Sequence, residues 1–553
     1  MPRTSGSLGE DPRSRARRLK HWGWGYEDQQ RPESEVAEAA SGIRAMLGFG
    51  GEVRAAVPLE QAELRDSRLE VPGGDGGLFS DDRHDRAVHA LGKAYRDIVR
   101  GHRGEFPNPP DLVAFPSDEA GVAEVLERAA DWGAAVIPFG GGTSVCGGVE
   151  PRFDDDRPSV SLDLTRLDRV VEIDHTSLAA RIQGGVRGPH LEDQLREHEL
   201  TLRHYPQSFE YATLGGWIVT RAGGHFATGE THIDDLVESV TAITPAGHWE
   251  SRRLPGSGAG PSPDRMMVGS EGILGVVTEA WMKVRPRPVF KASAVVEFDD
   301  FSQAATGAVR AIVQSRLGPS NCRLIDPLEA GTMGAGDGSA TLLLLGFESA
   351  DVPVGELLDL GVAIAIANGG RLTSQSVKGP DSEGGGDGGS GDKWKDAFLL
   401  APYIRDTFVS CGVLSETFET AITWDRFEEF HRAVKDATTK AVAEVCGAPA
   451  EGEGAPRVSC RLTHVYPDGA APYFTVIAPA IRGGEVEQWD EIKAAASQAI
   501  IDNGGTITHH HAVGRDHRPW YDQQRPELFA GALGAAKAAV DPQGLLNPGV
   551  LLG

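Results

Sequence analysis

A triple glycine directly after a buried strand is the feature that most constrains the fold of this 553-residue chain. The run A-A-V-I-P-F is typical of a buried strand, and Pro138 to Ser144 (P-F-G-G-G-T-S) ends and follows it. Adjacent glycines permit positive φ and close approach of the backbone, so successive N–H groups can face one concavity and hold a pyrophosphate. The spacing is not G-x-G-x-x-G, and no acidic residue ends the next strand, so a Rossmann-type site is not predicted.

Two further glycine-containing stretches have the same character. They are Ser208 to Gly224 (S-F-E-Y-A-T-L-G-G-W-I-V-T-R-A-G-G) and Gly269 to Val277 (G-S-E-G-I-L-G-V-V). Each brings backbone close to a flat or anionic group and contains hydroxyl or β-branched residues that can line it. One such turn is equally compatible with a purely structural role, but three together favour a large cofactor.

The chain is too long for one core and is expected to divide into two or three domains. Residues 1–25 are expected to form a disordered arm. Residues 26–106 are expected to form a helical N-terminal region, in which residues 34–47 and 85–100 have the apolar spacing of helices. Short strands that alternate with helices predict an α+β domain over residues 107–288. Pro286 and Pro288 interrupt regular structure and mark its end.

After this boundary the pattern repeats in β-α-β order. It predicts a ferredoxin-like mixed layer, a substrate or cap domain, over residues 289–511. Inside it, residues 379–392 are too rich in glycine to bury anything and are expected to form a flexible loop. The last segment, residues 512–553, is expected to return to the first domain.

Three consecutive histidines, His509, His510 and His511, end the run I-I-D-N-G-G-T-I-T-H-H-H. If residues 506–511 form a strand, His509 and His511 share one face and His510 lies on the other. Unperturbed imidazole titrates near pH ~6.5, so such a cluster can exchange protons or bind a developing oxyanion. Packing, a solvated surface or a metal site are the alternatives. Since no cysteine or carboxylate lies nearby at ligand spacing, a metal is not predicted.

The overall composition excludes several classes of function. A formal charge of -26 would repel a phosphate backbone, so nucleic acid is not an expected partner, and an anionic substrate would need a local basic pocket. No apolar stretch approaches the roughly 20 residues of a membrane helix, and no secretory signal precedes the first domain. Five scattered cysteines without a C-x-x-C pair indicate reduced thiols and a cytoplasmic location.

Several motifs give a specific family resemblance. The three glycine stretches resemble the flavin-binding half of the vanillyl-alcohol oxidase / para-cresol methylhydroxylase superfamily. Within it, the chain most resembles the alkyldihydroxyacetonephosphate synthase (alkylglycerone-phosphate synthase) family. The similarity covers nearly the whole chain, through H-W-G-W-G-Y-E-D, P-D-L-V-A-F-P, R-L-I-D, Y-I-R-D, S-E-T-F-E-T, S-C-R-L-T and T-H-H-H-A-V-G.

This resemblance implies a fold, a cofactor and a reaction. The fold is a two-lobed, FAD-binding domain of the para-cresol methylhydroxylase type followed by the mixed cap domain. The reaction exchanges the acyl group of acyl-dihydroxyacetone phosphate for a long-chain alcohol, without net redox, through a covalent adduct between flavin and substrate. The implied partners are therefore a lipid-like small molecule with a phosphate group, a second copy of the chain in a homodimer, and a membrane surface contacted peripherally.

The resemblance also assigns catalytic roles. Tyr473 corresponds to the proton donor and acceptor; a phenol is a poor base unless a nearby arginine or protonated histidine favours its phenolate. Arg405 corresponds to the residue that binds the substrate phosphate, and Arg323 to a position required for activity. The histidine triple is assigned collectively to proton transfer and oxyanion stabilisation. A core aromatic for Tyr473 and structural ion pairs for the two arginines are the alternatives.

The flavin assignment follows the same motifs. It covers Pro138, Phe139, Gly140, Gly141, Gly142, Thr143, Ser144, Gln207, Ser208, Thr213, Thr220, Arg221, Ala222, Gly223, Glu271, Gly272, Ile273, Leu274, Gly275, Val276 and Val277. Some members of the superfamily attach the flavin through a histidine near the glycine loop. No histidine lies between Pro138 and Gly148, so FAD is predicted to bind non-covalently, with Cys146 as the alternative point of attachment.

The chain departs from the family pattern at a few positions. Gln207 replaces the usual Asp, Gly223 replaces the usual Ser, and the ending L-N-P-G-V-L-L resembles the wider oxidase and 2-hydroxy-acid dehydrogenase relatives. Two alternatives to the synthase function therefore stay open. One is an FAD-dependent 2-hydroxy-acid dehydrogenase or oxidase, and the other is a flavin-loaded scaffold without activity.

Overall fold

The computed structural model describes residues 17–74, 76–226, 228, 232–380, 402–449, 452 and 454–552, and the fold is given for these residues. Most of the glycine-rich loop expected at 379–392 lies outside them. Residues 17–25, expected in a disordered arm, are packed against the protein. Trp24 is 5% exposed, and its backbone N–H donates to the Asp406 carboxylate at 2.9 Å, so the arm prediction is wrong for this segment.

The first half of the chain begins with helices and continues with short strands. In chain order its elements are α1 (Glu33–Leu47), β1 (Phe79–Ser80), α2 (Arg83–Val88), α3 (Tyr95–His102), β2 (Leu112–Ala114), α4 (Glu119–Trp132), β3 (Ala135–Phe139), β4 (Ser159–Asp163), β5 (Val170–Asp174), β6 (Ala179–Gln183), α5 (Gly188–Arg196), β7 (Leu200–Thr201), α6 (Leu214–Thr220), β8 (Val237–Thr244), β9 (Gly247–Glu250), α7 (Asp264–Met267), β10 (Val276–Lys283) and β11 (Arg285–Pro286).

The second half contains longer strands and helices. They are β12 (Phe290–Phe298), α8 (Gln303–Gln314), β13 (Asn321–Ile325), α9 (Pro327–Thr332), β14 (Thr341–Ser349), α10 (Gly355–Ala367), β15 (Arg371–Lys378), α11 (402–410), β16 (Val413–Glu419), β17 (Ile422–Thr423), α12 (Phe427–Cys446), β18 (Arg457–Val465), β19 (Gly469–Pro479), α13 (Glu485–Asp502), α14 (Arg518–Gln524) and α15 (Glu527–Val540).

Local sequence explains why these segments adopt their structure, and α4 is a clear case. Its N-cap Asp118 accepts a hydrogen bond from the Gly121 N–H at 2.8 Å, and Gly133 ends it with a left-handed φ of 61°. Val122, Val125, Leu126 and Ala129 are buried at helical spacing. The helix therefore lies against the sheet that carries β3 and the glycine loop.

Two sheets form the first domain. One has the order β1-β2-β4-β3, in which β2, β4 and β3 are parallel, and the other is an antiparallel sheet of order β5-β6-β10-β8-β9. The second domain is built on one larger antiparallel sheet of order β15-β12-β14-β13-β18-β19-β16, with β17 paired to β19. Helices α8, α10, α12 and α13 contribute buried apolar faces to its core. The predicted α+β fold, with a two-lobed first domain followed by a second mixed domain, is confirmed.

The C-terminal segment lies against the first domain. Leu546 forms a parallel bridge with Val136 in β3, and Asn547 Nδ2 donates to the carbonyls of Gly148 and Glu271 at 3.2 and 2.8 Å. Residues from 545 onward thus close over the base of the glycine loop. Within the described residues, no helix has the length and apolar character needed to span a membrane.

Two sequence-based predictions of local structure are wrong. The helix expected from residue 85 to 100 is two helices, α2 and α3, separated by a turn in which Gly92 packs against the carbonyl of Ser144. Residues 506–511 are not a strand but an irregular loop that follows α13. The reason lies in long-range hydrogen bonds to this loop, which are described below.

Candidate active site

A cavity of about 290 Å³ lies between the two domains. The glycine loop after β3, the start of α6 and the turn after it form one wall, and the sheet of the second domain forms the other. The predicted catalytic and substrate residues that line it are Tyr473, His510, His511 and Arg405. The predicted cofactor residues that line it are Pro138, Phe139, Gly140, Gly141, Gly142, Thr143, Ser144, Gln207, Ser208, Thr213, Thr220, Ala222, Gly223, Glu271, Gly272, Gly275 and Val277.

Other predicted residues lie outside the cavity wall. Ile273, Leu274 and Val276 are buried in the core of the first domain. Arg221 ends α6 with a φ of 53°, and its guanidinium donates to Asp234 at 3.1 Å. The structure therefore does not place these four residues at the cavity wall, because a motif does not distinguish residues that face the cavity from those that face the core. Two predicted catalytic residues, His509 and Arg323, lie behind the wall and are described below.

The glycine loop adopts a shape that side chains would prevent. A Cβ on Gly140 would collide with the side chain of Thr213, and a Cβ on Gly141 with the carbonyl of Tyr211. Gly142 has a φ of +64°, which favours glycine. The loop therefore lies directly against residues 211–213 and presents backbone to the cavity.

The histidine loop is held by a carboxylate that the sequence analysis missed. Glu419, at the end of β16, accepts hydrogen bonds from the backbone N–H groups of His509, His510 and His511 at 2.6, 3.2 and 2.9 Å. The hydroxyl of Thr508 donates to the same carboxylate at 2.6 Å. Three successive N–H groups thus converge on one anion, as in an anion-binding nest. This convergence replaces the alternation of a strand.

The groups that contact Glu419 favour its ionised form. Burial alone would raise the pKa of Glu419, but the neighbouring histidines, His510 first, and the hydroxyl of Thr508 hold it well below its usual range. Burial in turn lowers the pKa of His510 and lowers those of His509 and His511 strongly. At neutral pH the loop therefore contains neutral imidazoles beside a buried carboxylate.

Tyr473 lies in β19 and is 4% exposed. Its ring faces the ring of His510 at 6.0 Å and meets the edge of His511 at 5.5 Å between centroids. The guanidinium carbon of Arg461 lies 3.8 Å from the centre of the Tyr473 ring. Arg461, which also pairs with Glu329, is therefore the cation beside the phenol, because the histidines are neutral.

Arg405 lies on α11 and lines the cavity. Its guanidinium donates to the backbone carbonyl of Lys93 at 3.2 Å. The adjacent acid, Asp406, accepts from Trp24 and lies 3.8 Å from the ammonium of Lys20. The described residues show no ion pair between Arg405 and Asp406, which was the structural alternative for Arg405.

Arg323 is fully buried in β13 and does not line the cavity. Its guanidinium donates to Nδ1 of His225 at 3.3 Å, which links the second domain to the turn after Gly224. Burial, and then the charge of Arg461, lowers the pKa of Arg323 to about 9. Its position behind the cavity wall supports a role in positioning the histidine cluster.

A fourth histidine joins the cluster from β18. His464 is 2% exposed, and the centre of its ring lies 4.9 Å from those of His509 and His510. One ring nitrogen from each of these three histidines falls within 4.8 Å of the others, which is a spacing that metal ligands also adopt. The guanidinium groups of Arg323 and Arg461, whose charges act on His510, oppose a divalent cation there.

Sequence motifs mark the residues that the sequence analysis missed, but the motifs alone did not indicate what these residues do. Glu419 lies in S-E-T-F-E-T and Arg461 in S-C-R-L-T, both of which were noted only as family motifs. Trp24 and His464 also line the cavity; Trp24 lies in the family motif H-W-G-W-G-Y-E-D, and His464 directly follows S-C-R-L-T. Only the tertiary structure brings these side chains to the site.

Comparisons with known proteins agree with this arrangement. Residues 110–251 match the family model described as FAD binding domain, and residues 287–551 match FAD linked oxidases, C-terminal domain. The chain is 31% identical over 485 residues to an alkyldihydroxyacetonephosphate synthase of Caenorhabditis elegans, covering 84% of this chain and 79% of that protein. The corresponding protein of Trypanosoma brucei brucei is 30% identical over 85% of this chain and 78% of its own length.

The chain belongs to the alkyldihydroxyacetonephosphate synthase family. A solved structure of an alkyldihydroxyacetonephosphate synthase matches with a TM-score of 0.78 at 24% identity, over 96% of this chain and 98% of the other, so the fold is shared. Membership of this family favours the synthase function over the oxidase alternative.

The site fits the FAD that this family binds. The cavity runs from the backbone-lined glycine loop to the wall formed by Tyr473 and the histidines. A Cβ on Gly223 would lie 2.9 Å from His464 and 3.3 Å from His510. The turn after α6 therefore carries no side chain at the point where it meets these histidines. The glycine loop would hold the pyrophosphate, and the segment from Ala222 to Gly224 would lie next to the flavin ring.

Proposed function

We propose that this protein exchanges the acyl group of acyl-dihydroxyacetone phosphate for a long-chain alcohol, with no net redox. The products are an alkyl ether of dihydroxyacetone phosphate and a fatty acid. The observation that carries the proposal is that Tyr473, His510, His511 and Arg405 line the same cavity as the glycine loop. The sequence similarity to synthases supports the choice of substrate. When bound, FAD supplies an electron-poor ring system next to the reacting carbon.

Arg405 provides the anchor for the phosphate. A guanidinium matches phosphate geometry with two parallel N–H donors, and the contact to the Lys93 carbonyl at 3.2 Å fixes the direction of the side chain. Since the chain carries a formal charge of -26, such a local cation is what an anionic substrate requires. This anchor places the three-carbon unit between Arg405 and the wall that carries Tyr473.

Tyr473 provides the proton acceptor for the carbon beside the ketone. A phenol needs a nearby cation to hold its conjugate base, and Arg461 lies over the ring at 3.8 Å. The buried position of the ring excludes water from this step. The same oxygen can return the proton when the alcohol has added.

The histidines provide hydrogen bonds to the departing carboxylate. Burial keeps His510 and His511 neutral, so each presents a neutral N–H or a lone pair rather than a charge. Glu419 fixes the backbone of both residues, which keeps their rings at the cavity wall. A fixed donor needs no reorganisation when negative charge develops.

A direct assay tests the proposal. Purified FAD-loaded enzyme is given acyl-dihydroxyacetone phosphate and hexadecanol, and fatty acid release is followed together with oxygen consumption. We expect release without oxygen uptake, and we expect Tyr473→Phe to abolish it while the flavin spectrum is retained. Tyr521→Phe, which alters a tyrosine outside the cavity wall, is the matched control. No release across a range of chain lengths, or bleaching of the flavin by a 2-hydroxy acid without oxygen, would contradict the proposal.

We also propose a location and an assembly. A long-chain alcohol partitions into membranes, which supports a peripheral membrane contact; the scattered cysteines support a cytoplasmic location, and the family resemblance supports a homodimer. Co-sedimentation with vesicles of neutral lipid checks the first part, and light scattering at a series of concentrations checks the second. A protein that stays in the supernatant, or stays monomeric at all concentrations, would contradict the corresponding part.

A further inference from the structure

A chain of hydrogen bonds leads from the cavity to a partly exposed tyrosine. His510 lines the cavity, and its Nδ1 lies 3.0 Å from Nδ1 of His509. The other ring nitrogen of His509, Nε2, lies 2.5 Å from the hydroxyl oxygen of Tyr466. Tyr466 is partly exposed and stands in the turn between β18 and β19, where the next two residues are exposed. Three side chains thus connect the site with a turn at the protein surface.

The proposed reaction needs such a connection, and the inference rests on that function. The acyl ester and the alcohol together yield the ether and a carboxylic acid. A fatty acid has a pKa close to that of other carboxyl groups, about 4 to 5, so it leaves as a carboxylate at neutral pH. One proton per turnover therefore stays behind and must leave a buried cavity.

We propose that His510, His509 and Tyr466 form the path by which this proton leaves the active site. A neutral imidazole accepts a proton at one nitrogen while it donates another from the opposite nitrogen, which is the property that a proton path requires. Since both histidines are buried and neutral, neither holds the proton as a stable charge.

The transfers balance at every group. A proton arrives at Nε2 of His510, the ring nitrogen that does not contact His509, and the proton on its Nδ1 passes to Nδ1 of His509. The proton on Nε2 of His509 then passes to the hydroxyl of Tyr466, whose own proton goes to water. Each histidine ends as its other neutral tautomer, and Tyr466 ends as a neutral phenol. Each ring returns to its starting tautomer by water-assisted exchange, in which one nitrogen loses a proton as the other gains one, so the reset moves no net proton along the path.

Neighbouring histidines hold the path but do not extend it. Nε2 of His464 donates to the carbonyl of Gly224 at 3.2 Å, and Nε2 of His232 donates to the carbonyl of His509 at 2.9 Å. Carbonyl oxygens accept these hydrogen bonds and pass no proton onward. Nδ1 of His511 has no hydrogen-bond partner among the described residues, so His511 starts no second path.

The test removes the outer end of the path and leaves the cavity wall unchanged. Tyr466→Phe keeps the ring and deletes the hydroxyl, with Tyr521→Phe as the matched control. We expect kcat for fatty acid release to fall by about 10- to 100-fold, with the KM for both substrates unchanged. We also expect a larger solvent deuterium isotope effect and partial recovery of kcat with high concentrations of imidazole, which can accept the proton directly from His509. The control should show none of these changes.

A second variant covers the case in which the first folds poorly. His509→Gln keeps hydrogen-bonding groups but cannot exchange tautomers, and the same loss of kcat with recovery by imidazole is expected. Wild-type kcat and isotope effect in both variants would overturn the path while the proposed reaction stands. A loss of kcat that imidazole does not restore would also overturn it, because a structural effect would explain that result. Absence of fatty acid release from the unaltered enzyme would overturn the proposed function and the path together.

Discussion

Glu419 and Tyr473 lie directly opposite each other in the antiparallel pairing of β16 with β19. The carboxylate of Glu419 reaches forward to three backbone N–H groups of the histidine loop, while Tyr473 lines the cavity beside the rings of that loop. One pair of strands therefore sets the distance between the phenol and the imidazoles. Tyr473 is also paired with Arg461 in the neighbouring strand β18. Glu419, Tyr473 and Arg461 therefore lie in one row across the sheet.

Replacing Glu419 by Gln should damage catalysis and stability together. The amide end of Gln presents a donor to backbone groups that are donors already, so hydrogen bonds to a buried charge are lost. We expect unfolding free energy to fall by about 2 to 3 kcal/mol and kcat to fall with FAD still bound. Urea unfolding and steady-state kinetics check this. Glu444→Gln, at a side chain that is 68% exposed, is the control and should change neither quantity.

Gly141→Ala should abolish FAD loading. The added methyl group would collide with the carbonyl of Tyr211, so the loop could not keep the backbone shape that faces the cavity. We expect a protein that folds but is purified without yellow colour, with FAD affinity reduced in fluorescence titration. Gly258→Ala is the matched control, because a Cβ there meets nothing within 4 Å. Normal FAD content in the Gly141 variant would show that this loop does not hold the cofactor.

Arg405→Gln should weaken substrate binding much more than the chemical step. Loss of a charge-assisted contact to phosphate corresponds to about 1.5 to 3 kcal/mol, or roughly a 10- to 100-fold higher KM. Flavin content should not change. The exposed Arg310→Gln is the control for loss of one positive charge. An unchanged KM would remove Arg405 from the phosphate site.

FAD should leave the protein when the chain unfolds. Cys146, the one candidate for attachment next to the glycine loop, donates from its thiol to the His511 carbonyl at 3.2 Å. Burial raises the pKa of this thiol well above its usual value, so the reactive thiolate is suppressed. Acid precipitation should therefore leave all flavin in the supernatant, and Cys146→Ser should retain full loading. Yellow colour in the precipitate would contradict non-covalent binding.

Stability should fall as the pH drops below about 6.5, the pKa of histidine in an unfolded chain. Burial lowers the pKa of His204 to about 3 and those of His102, His431 and His517 to about 4. The unfolded chain then binds protons that the native protein does not, which costs about 1 kcal/mol per histidine near pH ~5.5. The loss continues until the pH reaches the lowered values of about 3 to 4 in the native protein.

Glu271 changes stability with pH in the direction opposite to the buried histidines. Burial raises its pKa to about 7, so the stability that it contributes is lost as the pH rises through 7. Since the four histidines outweigh this single carboxyl group, urea unfolding from about pH 5 to 8 should show stability that rises with pH and levels off above about 7. His431→Phe, which replaces one buried imidazole among aromatic rings, should reduce the slope on the acid side by about one proton. An unchanged slope would contradict this origin of the acid instability.

The sequence predicts those parts of the site whose shape depends on neighbouring residues in the chain. It does not predict the parts whose shape depends on contacts between distant residues. The shape of the glycine loop was predictable because Gly142's φ of +64° favours glycine and no side chain fits the close approach at Gly140 and Gly141. The histidine triple was found as a motif, but its conformation was not. Residues 506–511 have the composition of a strand, yet a carboxylate 90 residues away in sequence takes the N–H groups that a neighbouring strand would need. No local pattern reports such a partner.

Two buried carboxylates hold neighbouring stretches of the same short segment from opposite domains. Glu419 of the second domain binds the N–H groups of residues 509–511, and Glu271 of the first domain binds those of Val513 and Gly514 at 2.8 and 2.7 Å. A hinge motion that parted the two lobes would pull this hexapeptide apart and break several charge-assisted bonds at once. Entry of a large substrate by rearrangement of side chains or surface loops would leave these bonds intact, whereas opening of the two lobes would not.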